Sequence, residues 1–335
     1  LGKSRMGNKV SKNWFLIALA ACFWVGYQFA DSIAVALQWP YFRSGIVFAV
    51  MMAMGVTLRP DAIRRSLQRP AAAIVAIASN TLLVPLLALP TWFWLPADQF
   101  GGLFVAALVP CTLASASVWT RKADGDDSIA ILTTVVTNLA CFVVVPVGLA
   151  MVLARQSDVS AGEQIAKLAS IVVAPLVLAQ VLRRISVSGR SIGAPSIGDW
   201  ADQRKLPLSM FAQVGILVMV MLGAAQSVVA VDGETAASSS WTIMSWITLI
   251  ASVCGVHFVA MGIAIGLAKA CGIPRSGQIA CGIAGSQKTL MVGLQIAIDC
   301  GVSVLPMLIY HVGQLLIDTV IAERWKTKSK NHESD

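Results

Sequence analysis

A lysine occupies the middle of an apolar stretch long enough to cross a bilayer. Gly277 to Ile298 reads GQIACGIAGSQKTLMVGLQIAI, and Lys288 lies near its centre. With about ten mostly apolar residues on each side, its ammonium cannot reach an interface by snorkelling. A lysine at that depth costs about 2.5–3.5 kcal/mol on insertion scales. Such a residue marks a solute or ion site, or else it bonds the carbonyls of a neighbouring helix and locks the packing. Gly282, Gly285, Ser286, Gln287 and Thr289 weaken the helix where the charge lies. Broken helix at membrane depth is tolerated only where it lines a cavity or is buried in protein.

The rest of the chain sets that stretch in a membrane. It is 57% hydrophobic and 13% charged, against roughly 25% charge in soluble domains. The composition is that of an all-α polytopic membrane protein. The net charge of +8 does not point to nucleic acid, because the bases lie in short loops between apolar runs, where they orient helices and meet anionic lipid. The seven cysteines are scattered through or beside apolar runs and read as small hydrophobes, without disulfides or a zinc site. No P-loop, nucleophile elbow or H-E-x-x-H box is present. An enzyme, a cofactor and a metal centre are therefore not expected.

Hydropathy divides the chain into ten spans between a basic N-terminus (1–13) and a charged tail (322–335) that reads as disordered. The third carries Asn80 and Pro85, and the fourth Pro110 followed by Thr112, Ser115 and Ser117. The fifth carries Thr133, Thr134, Thr137 and Asn138, the eighth His257, and the tenth His311 and Gln314. His257 reads as a satisfied packing residue. The connectors RPDAIRRSLQRP and RRISVSGRSIGAPSIGDWADQRKLP are basic, the second also hinge-like. With the N-terminus inside, 21 of the 25 Lys and Arg residues fall on the cytoplasmic side; only Arg43, Arg155 and Lys167 fall outside, and Lys288 is the remainder. Both ends are thus expected in the cytoplasm, with the protein in the cell's inner (plasma) membrane.

Ten spans split into two fives, 14–154 and 165–321. Five is odd, so the halves run inverted. The fourth span of each half is interrupted, at Pro110 to Ser117 and at Gly282 to Thr289. Paired interruptions at matching positions point to a transport site between inverted repeats, where half-helix ends present partial charges to an ion or solute. Lys288 would share that space with Ser115, Ser117, Thr133, Thr134 and Asn138.

Two longer motifs carry a resemblance. The run VPCTLASASVWTRKADGDDSIAILTTVVTN resembles helices four and five of the bile acid:sodium symporter family, and IAGSQKTLMVGLQ with PMLIYHVGQLL resembles its helices nine and ten. The SBF-like branch is the most similar, over roughly Ile46 to Ile321. The resemblance implies a panel domain of helices one, two, six and seven and a core domain of the other six, with helices four and nine crossing in the core. In sodium-coupled members two sodium sites surround that crossing. Ser117, Thr134, Gln287 and Asn80 fall at positions that match ligands there. Two departures stand out. The shared glutamate falls at Ile283, and the asparagine after the matched glutamine is Lys288, whose ammonium can take the place of a sodium ion. Sodium coupling is thereby put in doubt, and proton coupling is left open.

The expectation is a secondary transporter of a small organic anion, working by alternating access, with Lys288, Gln287, Ser286, Ser115, Ser117, Thr133, Thr134, Asn138, Asn80 and His311 as candidate site residues. The alternative is a membrane-embedded regulatory protein with a degenerate site.

Overall fold

A computed structural model describes residues 2–332 except 38, 40, 62–63, 65–69, 114, 154–160, 186–195 and 234–241. Arg65, Arg69 and Arg155, and the middle of the second basic connector, lie outside the described residues.

Where the sequence is apolar and free of breakers the chain is helical. The first helices are α1 (Gly2–Gln28), α2 (Ala30–Leu37), α3 (Phe42–Thr57) and α4 (Pro70–Ala78). A π-turn at Ser79–Leu83 links α4 to α5 (Val84–Ala88). Then come α6 (Ala97–Leu108), α7 (Ser115–Lys122), α8 (Asp127–Leu153) and α9 (Ala161–Leu168). A second π-turn, Ala169–Val173, leads into α10 (Ala174–Leu182). The last are α11 (Ile197–Gln203), α12 (Lys205–Gly233), α13 (Ile243–Ala270), α14 (Arg275–Ser286), α15 (Leu290–Asp299) and α16 (Leu305–His332). Among the described residues, six continuous helical stretches are long and apolar enough to span a membrane: Pro70–Phe93, Asp127–Val152, Gly162–Leu182, Lys205–Val228, Ile243–Ala270 and Leu305–Lys326. Shorter apolar helices, Ile17–Gln28, Phe42–Thr57 and Ala97–Leu108, accompany them. The protein is a helical, multi-pass membrane protein.

Two sets of helices pack mainly among themselves. In one, α12 lies against α1, α2 and α3, and α3 against α10. In the other, α14 lies against α4, α8 and α13, and α16 against α6 and α13. The sets meet where α15 touches α12 and α3, and where α9 touches α8. A crevice of about 280 Å3 also opens between them, lined by Leu58, Val135, Leu139, Leu176, Gln180 and Arg184 among others.

Two regions depart from the sequence reading. The charged tail continues as helix to His332. Ala322 is buried beside Ala123, Ile279 and Ile283, Trp325 packs on the same cluster, and Lys122 reaches Glu323 at 3.3 Å. These contacts extend the helix past the apolar span. The hinge-like connector contains α11, started by a capping box in which Ser196 and Asp199 serve each other's backbone N–H. Asp202 on α11 pairs with Arg59, Arg183 and Lys205. Gln180 Nε2 donates to Gly55 O (2.7 Å) and Leu58 O (3.2 Å), tying α10 to the end of α3.

Candidate functional site

Two helix interruptions meet. α6 stops at Val109 because Pro110 has no N–H to continue the ladder, and helix resumes at Ser115. α14 stops at Ser286, and α15 starts at Leu290. The N–H of Thr289, beside the second break, donates to Pro110 O in the first (2.9 Å). Helix ends leave carbonyls without intrahelical partners, and buried side chains serve them here. Asn80 Nδ2 donates to Ala284 O (3.1 Å) and Gln287 O (2.9 Å). Tyr310 Oη donates to Ser286 O (2.9 Å). Gln314 brackets Lys288, its Oε1 accepting from Lys288 N (2.8 Å) and its Nε2 donating to Lys288 O (2.9 Å).

Lys288 is fully buried. Its Nζ donates to Asn80 O (2.6 Å), Val109 O (3.0 Å) and, more weakly, Asn80 Oδ1 (3.3 Å). An ammonium has three N–H groups and no lone pair, so three oxygens suit it. The two carbonyls are free for a local reason. In an α-helix the N–H of Val84 would serve Asn80 O, but the π-turn sends it to Ser79 O. The next residue, Pro85, has no N–H to offer. Val109 O belongs to the open end of α6, where the helix dipole is negative. Among the described residues no carboxylate pairs with Nζ, so oxygen dipoles alone hold the ammonium.

Beside the lysine lies a second polar chain. Gln287 Oε1 accepts from Thr112 Oγ1 (3.0 Å) and Ser115 Oγ (2.8 Å), both at the first break. Its Nε2 donates to Asp318, a fully buried carboxylate on α16. The other oxygen of Asp318 faces His257 Nε2 at 3.1 Å. His257 Nδ1 lies 3.2 Å from Ser286 O. A carbonyl and a carboxylate oxygen both accept, so the ring donates to Ser286 O through Nδ1 or to Asp318 through Nε2, according to its tautomer. On α8, Thr134 Oγ1 donates to Thr112 O (3.0 Å) and Asn138 Nδ2 to Cys111 O (2.9 Å), while Asn138 Oδ1 is buried with no partner among the described residues. The crevice described above is not lined by any member of these networks.

Residues 13–327 match the SBF-like CPA transporter family. The chain belongs to the SBF-like CPA transporter family. It is also similar to the "Putative symporter YfeH" of Escherichia coli (strain K12), 23% identical over 267 residues covering 76% of this chain and 75% of that protein. The "Uncharacterized protein PA2026" of Pseudomonas aeruginosa is 25% identical over 240 residues, 69% of this chain and 66% of that one. Membership makes the chain a transporter rather than an enzyme, with the lipid bilayer as its surroundings.

Within this SBF-like transporter the sequence candidates divide. Lys288, Gln287, Asn80 and Ser115 join through side-chain bonds, and Thr134 and Asn138 hold the backbone of the first break. Ser286 takes part through its carbonyl, its hydroxyl turning back to Gly282 O (2.8 Å). Thr133 bonds Ile129 O within its own helix (2.8 Å), and Ser117 is half-buried on α7. His311 is one step removed, Nδ1 3.0 Å from Gln314 Nε2. Ile283 packs with Ala123, Ile279 and Ala322 and brings no oxygen. His257 does pack, but against a carboxylate, which the sequence reading did not foresee. Asp318 was missed altogether. It stands four residues after Gln314 and seven after His311 in an apolar run, so one helical face already carried the three.

Proposed function

We propose that this protein is a secondary transporter that moves a small organic anion by alternating access, with Lys288 as a built-in cation where sodium-coupled relatives bind sodium. The observation that carries the reading is a buried ammonium held only by oxygen dipoles where two broken helices meet. An uncompensated positive charge in a low-dielectric site attracts an anion strongly. Asn138 Oδ1 adds a buried acceptor open to a solute's hydroxyl or amide. On this reading the helix set with α1, α2, α3, α9, α10 and α12 is the panel, and the set with α4, α8, α13, α14, α15 and α16 is the core. Ten spans in inverted halves, both termini cytoplasmic and an inner-membrane location belong to the same proposal.

The test is anion uptake into proteoliposomes by wild type and Lys288→Met. Uptake that depends on Lys288 supports the reading; uptake indifferent to the substitution refutes it.

A further inference from the structure

At one end of the bundle, the α9 end, three side chains from the proposed panel converge on two residues of the proposed core. Asp299 ends α15. A negative charge there is adverse, because the C-terminal end of a helix is itself negative. Its carboxylate, only 17% exposed, is held from outside the helix: Lys167 Nζ on α9 lies 2.6 Å from Oδ2, and Arg43 Nη2 on α3 lies 3.4 Å from Oδ1. Gln295 Nε2 donates to both oxygens at 3.0 Å. The next residue, Cys300, has its Sγ 3.6 Å from Gln164 Nε2 on α9.

The clamp is under-filled. Two cations face the one carboxylate of Asp299. Well-formed N–H···carboxylate bonds run to about 2.7–2.9 Å, so the Arg43 contact is long. Its second terminal nitrogen, Nη1, is buried with no partner among the described residues, and so is Gln295 Oε1 beside it. A guanidinium fork matches both oxygens of a carboxylate at once, and Asp299 engages one arm of it. Lys167 is 38% exposed and so open to an arriving ligand.

We propose that Arg43 and Lys167 form a carboxylate clamp on the panel, filled by Asp299 when the two helix sets are closed against each other at this end and by the carboxylate of the solute when they part. The proposal rests on the anion-transporter reading above. Asp299 then acts as the solute's internal stand-in: it closes the end when no solute is present and is displaced by a ligand of the same chemistry.

The test uses the full chain in nanodiscs. Gln164→Cys places a thiol beside the native Cys300, and copper-phenanthroline oxidation to the 164–300 disulfide, identified by peptide mapping, reports closure. The probe is 50 mM sodium benzoate, with benzamide and sodium chloride as controls. Benzoate alone should slow cross-linking at least threefold, and the effect should vanish in Arg43→Gln/Lys167→Gln. Asp299→Asn should slow cross-linking without any probe and lower the benzoate concentration needed by several-fold. Lys167→Gln, at a partly exposed position, keeps the test open if Arg43→Gln does not fold. Benzoate acting no differently from benzamide, a benzoate effect that survives both cation replacements, or an Asp299→Asn protein indistinguishable from its parent would each overturn the clamp. Lys288→Met in the same reporter separates the readings. Solute uptake lost in Lys288→Met with no benzoate response at the reporter sinks the clamp alone. A benzoate response through Arg43 and Lys167 beside undiminished uptake in Lys288→Met sinks the central-site reading and leaves the clamp.

Discussion

Replacing Lys288 by methionine keeps the length of the side chain and removes its charge, so it separates binding from folding. Two terms bear on stability. Asn80 O and Val109 O lose a donor, and each stranded buried acceptor costs about 1–3 kcal/mol. Against this, the ammonium no longer has to be kept at membrane depth, which recovers about 2.5–3.5 kcal/mol. The terms nearly offset, so thermal stability should shift by a few degrees at most. Binding has no such offset. An anion about 6 Å from the ammonium, at an effective dielectric of about 20, gains about 3 kcal/mol, or about two orders of magnitude in affinity. Lys288→Arg should also impair binding, because the bulkier planar fork does not fit a fully buried three-oxygen cage. The assay is melting temperature and anion binding on the same purified variant. A Lys288→Met protein that melts much earlier yet binds and transports at the wild-type level would remove the lysine from the mechanism and leave it as a packing staple.

Other consequences can be checked as directly. Uptake should persist when sodium is replaced by choline, because Ile283 offers no oxygen and Lys288 brings a like charge to the crossing; loss of uptake would restore sodium coupling. Asp318→Asn should leave melting nearly unchanged, since its amide can donate to a neutral His257 ring while its oxygen still accepts from Gln287. Asp318→Leu strips both bonds and should cost about 3–5 kcal/mol by analogy with broken buried pairs; equal melting of the two variants would show that the contacts of Asp318 with His257 and Gln287 do not hold the crossing together. Burial disfavours the ionised form of Asp202, but Arg183, Arg59 and Lys205 outweigh it and hold the carboxyl below its ordinary value. A lowered carboxyl contributes stability that is present above its unfolded value, about 3.9, and is lost as pH falls through the folded one. Cutting near α11 by an acid-active protease should therefore rise as pH falls below about 4 in wild type, and less steeply in Asp202→Asn, where only the Asp199 cap still loses its charge.

The sequence made the centre of the site legible for a physical reason. A charge in an apolar span has few places to go, so Lys288 stood out, and the glycines and Pro110 marked where helix would fail. Asn80 was visible as an amide in an apolar run. Its use was not, since its carbonyl is freed by a π-turn that no residue pattern announces. Gln287 and Asn80 were matched to ligand positions, yet the structure spends their amides on carbonyls, hydroxyls and Asp318. Asp318 was overlooked because one carboxylate near the end of a long span looks like an interfacial residue until its partners on α13 and α14 are known. Thr133 and His311 lay on promising helices, but rotation about the helix axis, which composition does not report, turns Thr133 to its own backbone and leaves His311 a step away. The tail was misjudged because its charges hid Ala322 and Trp325, the residues that hold it.

The carbonyl of Asn80 is open because Pro85 cannot serve it. Lysine and proline therefore act on one carbonyl. Pro85→Ala would supply an N–H to compete for that oxygen and loosen the ammonium's shortest contact. Lys288→Met alone strands the oxygen, and the double replacement should be milder than the sum of the two. The seat of the buried ammonium is thus set by a backbone irregularity on another helix, more than two hundred residues away in the chain.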